Sequence, residues 1–350
     1  MFQLIKQRMK GAQNISQITK AMELVAATKM RRSQEIALRS RPYAYGALDL
    51  LRTLAALEQD DHTPPLLATR SFEASTELSR MSKLRTSRTA IVLITSDKGL
   101  AGAFNSNVIK KFEQFMKQEG ILNGPQGSPT SRGSRTSQNW AASSNHVFIA
   151  VGKKAQAHLE KQGYTVLRAF IRAGDFTSPE EVRPVAEILE KLYAEKKIDR
   201  AIAFSTHFRT ALAQETLSRE LLPISVAALT RTINEIVPEK GKFSELRHSE
   251  RPGFSETQRM ERPKNLLIEP SPAQVLDSIA SHLLHMELYH LFMEANASEH
   301  AARRMAMKNA SENAGELVQT LTLTYNKLRQ AAITKEITEI TAGAEALRTN

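Results

Sequence analysis

Two stretches of this sequence combine residue types and spacings that can do chemistry. The first is Ser96-Asp97-Lys98-Gly99-Leu100-Ala101-Gly102-Ala103-Phe104-Asn105, which follows an apolar run and opens a helical pattern. In parallel α/β sheets such strand-to-helix turns bind phosphates, because a helix N-terminus offers unpaired N–H groups to an anion. Gly99 and Gly102 fit neither the Walker A spacing nor the dinucleotide fingerprint. The simpler reading is a tight structural turn. The second stretch holds His282, His285 and His290 with Glu287 and Glu294. His282 and His285 share a helix face at i, i+3, a spacing that a metal can bridge and that solvated helix histidines also produce. No metalloprotease pattern accompanies them, and no metal site is assigned. No nucleophile, base and orienting acid can be assembled by spacing anywhere in the chain. It reads as non-catalytic, with no cofactor.

Composition narrows the classes further. The chain has 350 residues, no cysteine and a formal net charge of +11. Disulfides, thiolate metal sites and cysteine nucleophiles are therefore excluded. No run of about 18 apolar residues occurs, so no membrane span is expected. Much of the positive charge lies near the N-terminus, where Lys6, Arg8, Lys10, Lys20, Lys29, Arg31, Arg32, Arg39 and Arg41 face only Glu23 and Glu35. An organelle transit peptide has that composition, but here a heptad pattern runs through it. A basic nucleic-acid binder is the alternative function. It lacks the aromatic interleaving, zinc spacing or RNA-recognition signature that would carry it.

The elements that must position these residues are dominated by the two ends. Ala273 to Asn350 contains no proline, and only Gly315 and Gly343 interrupt the helix formers. Roughly 75 helical residues would extend on the order of 110 Å, wider than any globular core. Ile333, Ile337, Ile340, Ala344 and Leu347 step as a heptad seam. Met1 to Arg41 is likewise proline-free, with Gly11 its one breaker, and Pro42 is expected to end it. Ile15, Ile18, Met22 and Val25 form a second seam, flanked by Ala21, Ala26 and Ala27. A short seam is marginal alone, so the two terminal helices are expected to pair antiparallel.

Between them the period changes. Arg88–Thr95, His146–Val151 and Arg200–Phe204 are apolar runs of the kind buried on both faces. Helical patterns alternate with them at Asn105–Gln118, Lys153–Gln162 and Pro179–Lys196, the last preceded by Thr177 and Ser178 and opening with Pro179, Glu180 and Glu181. Such alternation argues for a mostly parallel sheet. Phe204–Leu229 fits either a strand pair or a strand with a short helix. The expected division is 1–58 for the N-terminal helix, 59–237 for an α/β domain with an insertion at 123–145, 238–272 for a charged, proline-rich linker, and 273–350 for the C-terminal helix. Asp60 to Arg85 is a third polar connector.

Ile18–Arg32 resembles the N-terminal signature of the gamma subunit of F-type ATP synthases. Ala297–Lys308 and Tyr325–Ile340 resemble that family's C-terminal signatures, Ser96–Asn107 its turn after the first strand, and Leu267–Pro272 a segment before its last helix. The resemblance implies an α/β protein, a long antiparallel coiled coil of N- and C-terminal helices with a central Rossmann-like α/β domain. It implies a rotor that couples ion-driven ring rotation to conformational cycling of catalytic beta subunits, with no active site of its own.

By the same resemblance the partners are the alpha and beta subunits of the catalytic ring, the epsilon subunit and the membrane ion-translocating ring, with no nucleic acid. The location implied is peripheral, on the cytoplasmic face of the inner (plasma) membrane. Lys20, Met22 and Arg31 match positions facing the beta subunits. Arg329 and Gln330 match a pair that hydrogen-bonds a beta-subunit loop, and Arg303, Thr334 and Glu336 match further shaft positions. Gly99, Gly102, Asn105 and Glu269 match the base and its turn. The residues from Ile337 to Leu347 would sit in an apolar sleeve. The family's turn often has a cysteine and paired glycines where this chain has Ala101, Gly102 and Ala103, and the chloroplast form has a redox cysteine pair. With no cysteine, this chain carries neither. The insertions at 123–145 and 238–264 exceed the usual bacterial length, and the first is expected to meet anionic lipid or a neighbouring subunit. An α/β enzyme using the Gly99–Gly102 turn is a third reading.

Overall fold

The computed structural model describes residues 2–57, 65–67, 88–119, 146–171, 176–225 and 268–348. The expected insertion at 123–145 and most of the 238–272 linker lie outside them, as does most of the 60–85 connector. Chain order is α1 (Phe2–Leu57), β1 (Thr89–Ile94), α2 (Phe104–Gln118), β2 (His146–Val151), α3 (Lys153–Lys161), β3 (Val166–Phe170), α4 (Pro179–Ala194), β4 (Arg200–Phe208), β5 (Gln214–Leu222) and α5 (Pro272–Arg348). Contacts divide the chain into two compact units: Met1–Thr28 with Arg303–Asn350, and Lys29–Ala302.

The second unit is built on one sheet of order β3-β2-β1-β4-β5. β1 runs parallel to β2 and β4, β2 parallel to β3, and β5 antiparallel to β4. β1 is buried along its whole length because both faces are covered. On one face Ile91, Leu93, Phe148, Ala150, Ile202 and Phe204 pack against Val108, Phe112 and Met116 of α2 and Ala155 and Leu159 of α3. On the other, Val92, Ile94, Ile149 and Ala203 meet Leu189 and Tyr193 of α4, Leu283 and Leu291 of α5, and Leu51 and Leu54 of α1. The alternating α/β order is as expected. The Phe204–Leu229 stretch resolves in its described part as the β4–β5 hairpin, through Leu222. β3, not singled out from sequence, is a five-residue edge strand whose Arg168 and Ala169 are exposed, which hides the apolar run.

Pro42 does not end the first helix, which continues to Leu57. Proline removes a single N–H donor from a helix. Burial of Leu51 and Leu54 beyond it supplies a reason to keep the helical path, since each is almost wholly withdrawn from water.

The first unit pairs α1 with the C-terminal part of α5. Ser311 Oγ donates to Ser16 O at 3.2 Å, and Ser16 Oγ to Ser311 O at 3.4 Å. Met9 lies opposite Thr322, whose hydroxyl meets its sulfur at 3.4 Å, so the pairing is antiparallel. The covered stripe on α1 is Ala12, Ser16, Thr19, Glu23 and Ala26. On α5 it is Met307, Ser311, Ala314, Val318, Leu321, Tyr325, Leu328 and Ala332. Both stripes alternate steps of four and three, the heptad period. The seams expected from sequence are corrected here. Ile15, Ile18 and Val25 are 55%, 60% and 53% exposed, and Ile333, Ile337 and Ile340 are exposed too. The period matches but the face does not: on α1 small residues and hydroxyls occupy the contact, and on α5 it runs through Leu321, Tyr325 and Leu328 rather than through the isoleucines.

Gly152 shows how tightly the sheet's upper edge is built. It takes φ +93°, and an added Cβ would stand 2.4 Å from the backbone oxygen of Thr95. Gly152→Ala is expected to lose about 3 kcal/mol of stability, read as a lower midpoint in denaturant unfolding at unchanged slope.

Candidate subunit-contact surface

In the first unit the sequence-selected residues lie mainly on surface that the helix pair leaves open. Lys20 is exposed and bonds Glu23 at 2.9 Å within its own helix, while Met22 is half-buried. Arg303 is half-buried. Arg329, Gln330, Thr334 and Glu336 are all exposed. Thr334 Oγ1 donates to the Gln330 carbonyl at 2.9 Å, satisfying its hydroxyl inside the helix. Beyond Ala332 the covered stripe stops, and every side chain from Ile333 to Ala344 is exposed. Arg329, Ile333, Glu336 and Ile340 there follow one helical face at steps of four, three and four. Among the described residues neither Arg329 nor Glu336 takes an ion-pair partner. An apolar stripe flanked by unpaired charges is the chemistry of a surface built to be covered.

In the second unit Arg31 is exposed and bonds Glu35 at 3.3 Å. The turn after β1 brings Gly99, Gly102 and Asn105 together. The Ser96 amide donates to Asn105 Oδ1 at 2.9 Å, and Asn105 Nδ2 reaches Ser96 Oγ at 2.8 Å. Gly102 adopts φ +54°, and Leu100 enters the same left-handed region at +64°. Asp97 accepts the Lys153 amide at 2.8 Å, so its carboxylate already occupies the N-terminus of α3. The turn thus closes on its own side chains, as a structural turn does. Glu269 stands apart, exposed in the bend before α5. Of the helix histidines, His282 contacts the Tyr43 hydroxyl, while His285 lies 3.3 Å from Glu190. They are not brought to one ligand site.

Sequence reading missed a buried polar cluster. From Leu283 to Ala301, α5 is buried except at the half-buried His285 and Tyr289. Glu294 Oε2 lies 3.0 Å from His207 Nδ1 of β4 and 3.8 Å from Arg219 Nη2 of β5. Burial alone would raise the Glu294 carboxyl, but contact with His207 and the charges of His207, Arg219 and His290 outweigh it and hold the acid below its ordinary range. Burial pushes Glu287 up to about 8, against the pull of Arg219. It pushes His290 down to about 4, opposed by Glu294 and reinforced by Arg219. The sequence hides it, because Glu287, His290 and Glu294 interrupt the apolar residues and only the enclosing sheet and helices bury them. Asn296 Nδ2 to Thr177 Oγ1 at 2.6 Å and Ser298 Oγ to Thr206 O at 3.3 Å tie the same segment down.

A five-stranded α/β unit and an antiparallel helix pair, with an open apolar face on the pair, define a scaffold whose described surface is made for contact. A family model described as ATP synthase matches residues 2–347. The chain is 32% identical over 344 residues to an ATP synthase gamma chain of Chlorobaculum tepidum, covering 98% of each. It is also 32% identical over 350 residues to one of Gloeothece citriformis, with the same coverage. Among solved structures it is similar to a chain of the Euglena gracilis mitochondrial ATP synthase, captured as OSCP/F1/c-ring in rotational state 3. That match has a TM-score of 0.57 at 18% identity and covers 99% of this chain and 94% of that one. A second match, to the rotor of the same enzyme, has a TM-score of 0.53 at 19% identity over 95% and 98%.

The chain belongs to the ATP synthase gamma chain family. No helix among the described residues is long and apolar enough to cross a membrane. Because Asn105 satisfies the turn from within, Asn105→Ala is expected to cost about 1–2 kcal/mol. Thermal unfolding of the isolated chain reads this directly, and an unchanged Tm would mean that the turn does not depend on it.

Proposed function

We propose that this chain is the central-stalk rotor of an F-type ATP synthase, itself non-catalytic, turning against a ring of alpha and beta subunits. The supporting observation is the first unit's outward face, where large apolar residues stay in water beside Arg329 and Glu336, which take no ion-pair partner among the described residues. Exposed apolar stripes of this kind are stabilised by a partner that removes them from solvent. In the proposed complex the residues from Ile333 onward are covered by the ring.

Coupling then follows from differential contact. A rotor with unlike faces favours a different conformation of each surrounding beta subunit, so turning it shifts their populations in sequence. Arg329 suits this work because its planar guanidinium can bond a carboxylate through two parallel N–H groups. Gln330, next in the chain, and Glu336, about two turns further along the helix, add an amide and a carboxylate at exposed positions. Lys20, Met22, Arg31, Arg303 and Thr334 are proposed as further contacts to the ring. The second unit, with its turn at Gly99, Gly102 and Asn105 and the Glu269 bend, is proposed to dock the epsilon subunit and the membrane ion-translocating ring, peripheral to the cytoplasmic face of the membrane.

Reconstitution with alpha and beta subunits from the same source tests the reading. One copy of this chain is expected per three alpha–beta pairs, with multisite ATPase activity that depends on it. A chain that stays monodisperse beside those subunits contradicts the proposal. Within the assembled complex, Arg329→Ala is expected to lower ATP turnover about tenfold, on the order of 1.4 kcal/mol. The Tm of the isolated chain is expected to stay unchanged, because the side chain is exposed and unpaired there.

A further inference from the structure

Along α5 a row of polar side chains grips neighbouring elements of the second unit. Glu294 Oε2 lies 3.0 Å from His207 Nδ1 of β4 and 3.8 Å from Arg219 Nη2 of β5. The side chains of His207, Glu294 and Arg219 are only 7%, 6% and 11% exposed, so the contact is dry. Ser298, about one turn on, donates its hydroxyl to the Thr206 carbonyl of β4 at 3.3 Å. These contacts bind one side of the helix to the β4–β5 hairpin.

The other side is held separately. Asn296 Nδ2 donates to Thr177 Oγ1, just ahead of α4, at 2.6 Å. Glu190 of α4 accepts from the Ser281 hydroxyl at 2.6 Å and lies 3.3 Å from His285 Nε2. At about 3.6 residues per turn, Ser281, His285 and Asn296 stand about 140–180° around the helix axis from Glu294. The hairpin therefore grips α5 from one side, and α4 with Thr177 grips it from the other.

An apolar face alone would not hold a helix in this way. Burial of apolar area is non-directional, so a helix that rolls within an apolar layer loses little. Hydrogen bonds and ion pairs are directional and weaken steeply once misaligned. A roll by one residue position, about 100°, would part Glu294 from His207 and Arg219 and leave a carboxylate and a guanidinium unmatched in a dry interior. The bonds of Asn296 and Ser298 would break with it.

We propose that this two-sided grip is a torque key, with Glu294 as its principal positioning residue. It fixes α5 within the second unit, so that rotation applied to that unit passes along the helix without slip. This role rests on the rotor reading, in which the second unit docks on the membrane ring and α5 continues past Ala302 as one strand of the shaft.

The discriminating variant is Glu294→Met combined with Arg219→Met, which replaces the buried charges by apolar side chains. Such exchanges often leave stability unchanged, so the Tm of the isolated chain is expected to hold. In the complete complex reconstituted into vesicles, ATP hydrolysis is expected to stay within about twofold of wild type while ions moved per ATP fall about threefold or more. Wild-type coupling in that variant overturns the key. So does a parallel fall of ion uptake, hydrolysis and assembly, which marks a merely structural contact. In the isolated chain, Thr177→Cys with Asn296→Cys places two thiols where the side chains already touch. Oxidation is expected to close that disulfide about threefold more slowly in the double variant than in an otherwise wild-type chain, because the opposite grip is gone. Equal rates overturn the key whatever becomes of the rotor reading, which fails on its own if the wild-type chain does not assemble with alpha and beta subunits. Closing the same disulfide in the double variant is expected to restore ions moved per ATP, and failure to restore them overturns the key. Should the double variant not fold, Asn296→Ala, which leaves the Glu294 contacts in place, is read in the same way, and undiminished coupling overturns the key.

Discussion

Close approach of two helices governs what the first unit can be. Hydroxyl-to-carbonyl bonds between Ser16 and Ser311, in both directions, require backbones close at that crossing, where small side chains fit, while Val318, Leu321, Tyr325 and Leu328 line the seam further along α5. Ala12, Ala26 and Ala314 meet the same requirement. At that crossing the seam removes less apolar surface from water than leucines there would. It also leaves the isoleucines, Leu24 and Val25 facing outward, where a protein standing alone has no use for them. The large apolar residues left facing outward carry the chain's proposed role.

The second unit solves a different problem. Its sheet is covered on both faces, which lets β1 be apolar throughout, and part of α5 is buried nearly all round. A helix in that position normally carries no charge. Here it carries Glu287, His290 and Glu294, and only one of these, Glu294, has close partners in an ion pair. Burying such groups costs stability unless protonation or pairing neutralises them. On this face the sheet therefore meets α5 through a charged contact, which the all-apolar layer between the sheet and α2 and α3 lacks.

Much of this architecture was legible in the residues. The proline-free C-terminal end, the β-branched runs and the Ser178-Pro179-Glu180 start placed the last helix, three strands and α4 within a few residues of their observed bounds. The heptad period of both ends was legible too. Its face was not, because ranking positions by apolarity selects the isoleucines, whereas the contact takes Ala12, Ser16 and Thr19 on α1 and Leu321, Tyr325 and Leu328 on α5. Pro42 misled for a related reason: a local donor lost at one residue weighs less than two leucines buried ten residues later. The Ser96–Asn105 turn showed its position but not its closure, since only the structure brings Asn105 onto Ser96 and Asp97 onto α3. The histidines of α5 were visible as a helical spacing, and their burial required knowing that sheet and helices enclose them.

In the proposed complex, partner subunits cover the outward apolar face of the C-terminal helix. The chain contains no cysteine, so Ile337→Cys introduces a single thiol on that face. Maleimide labelling of this variant should be fast in the isolated chain and slowed at least about tenfold after assembly with alpha and beta subunits. Equal labelling rates in the two states would show that face open to solvent in the complex and contradict the account.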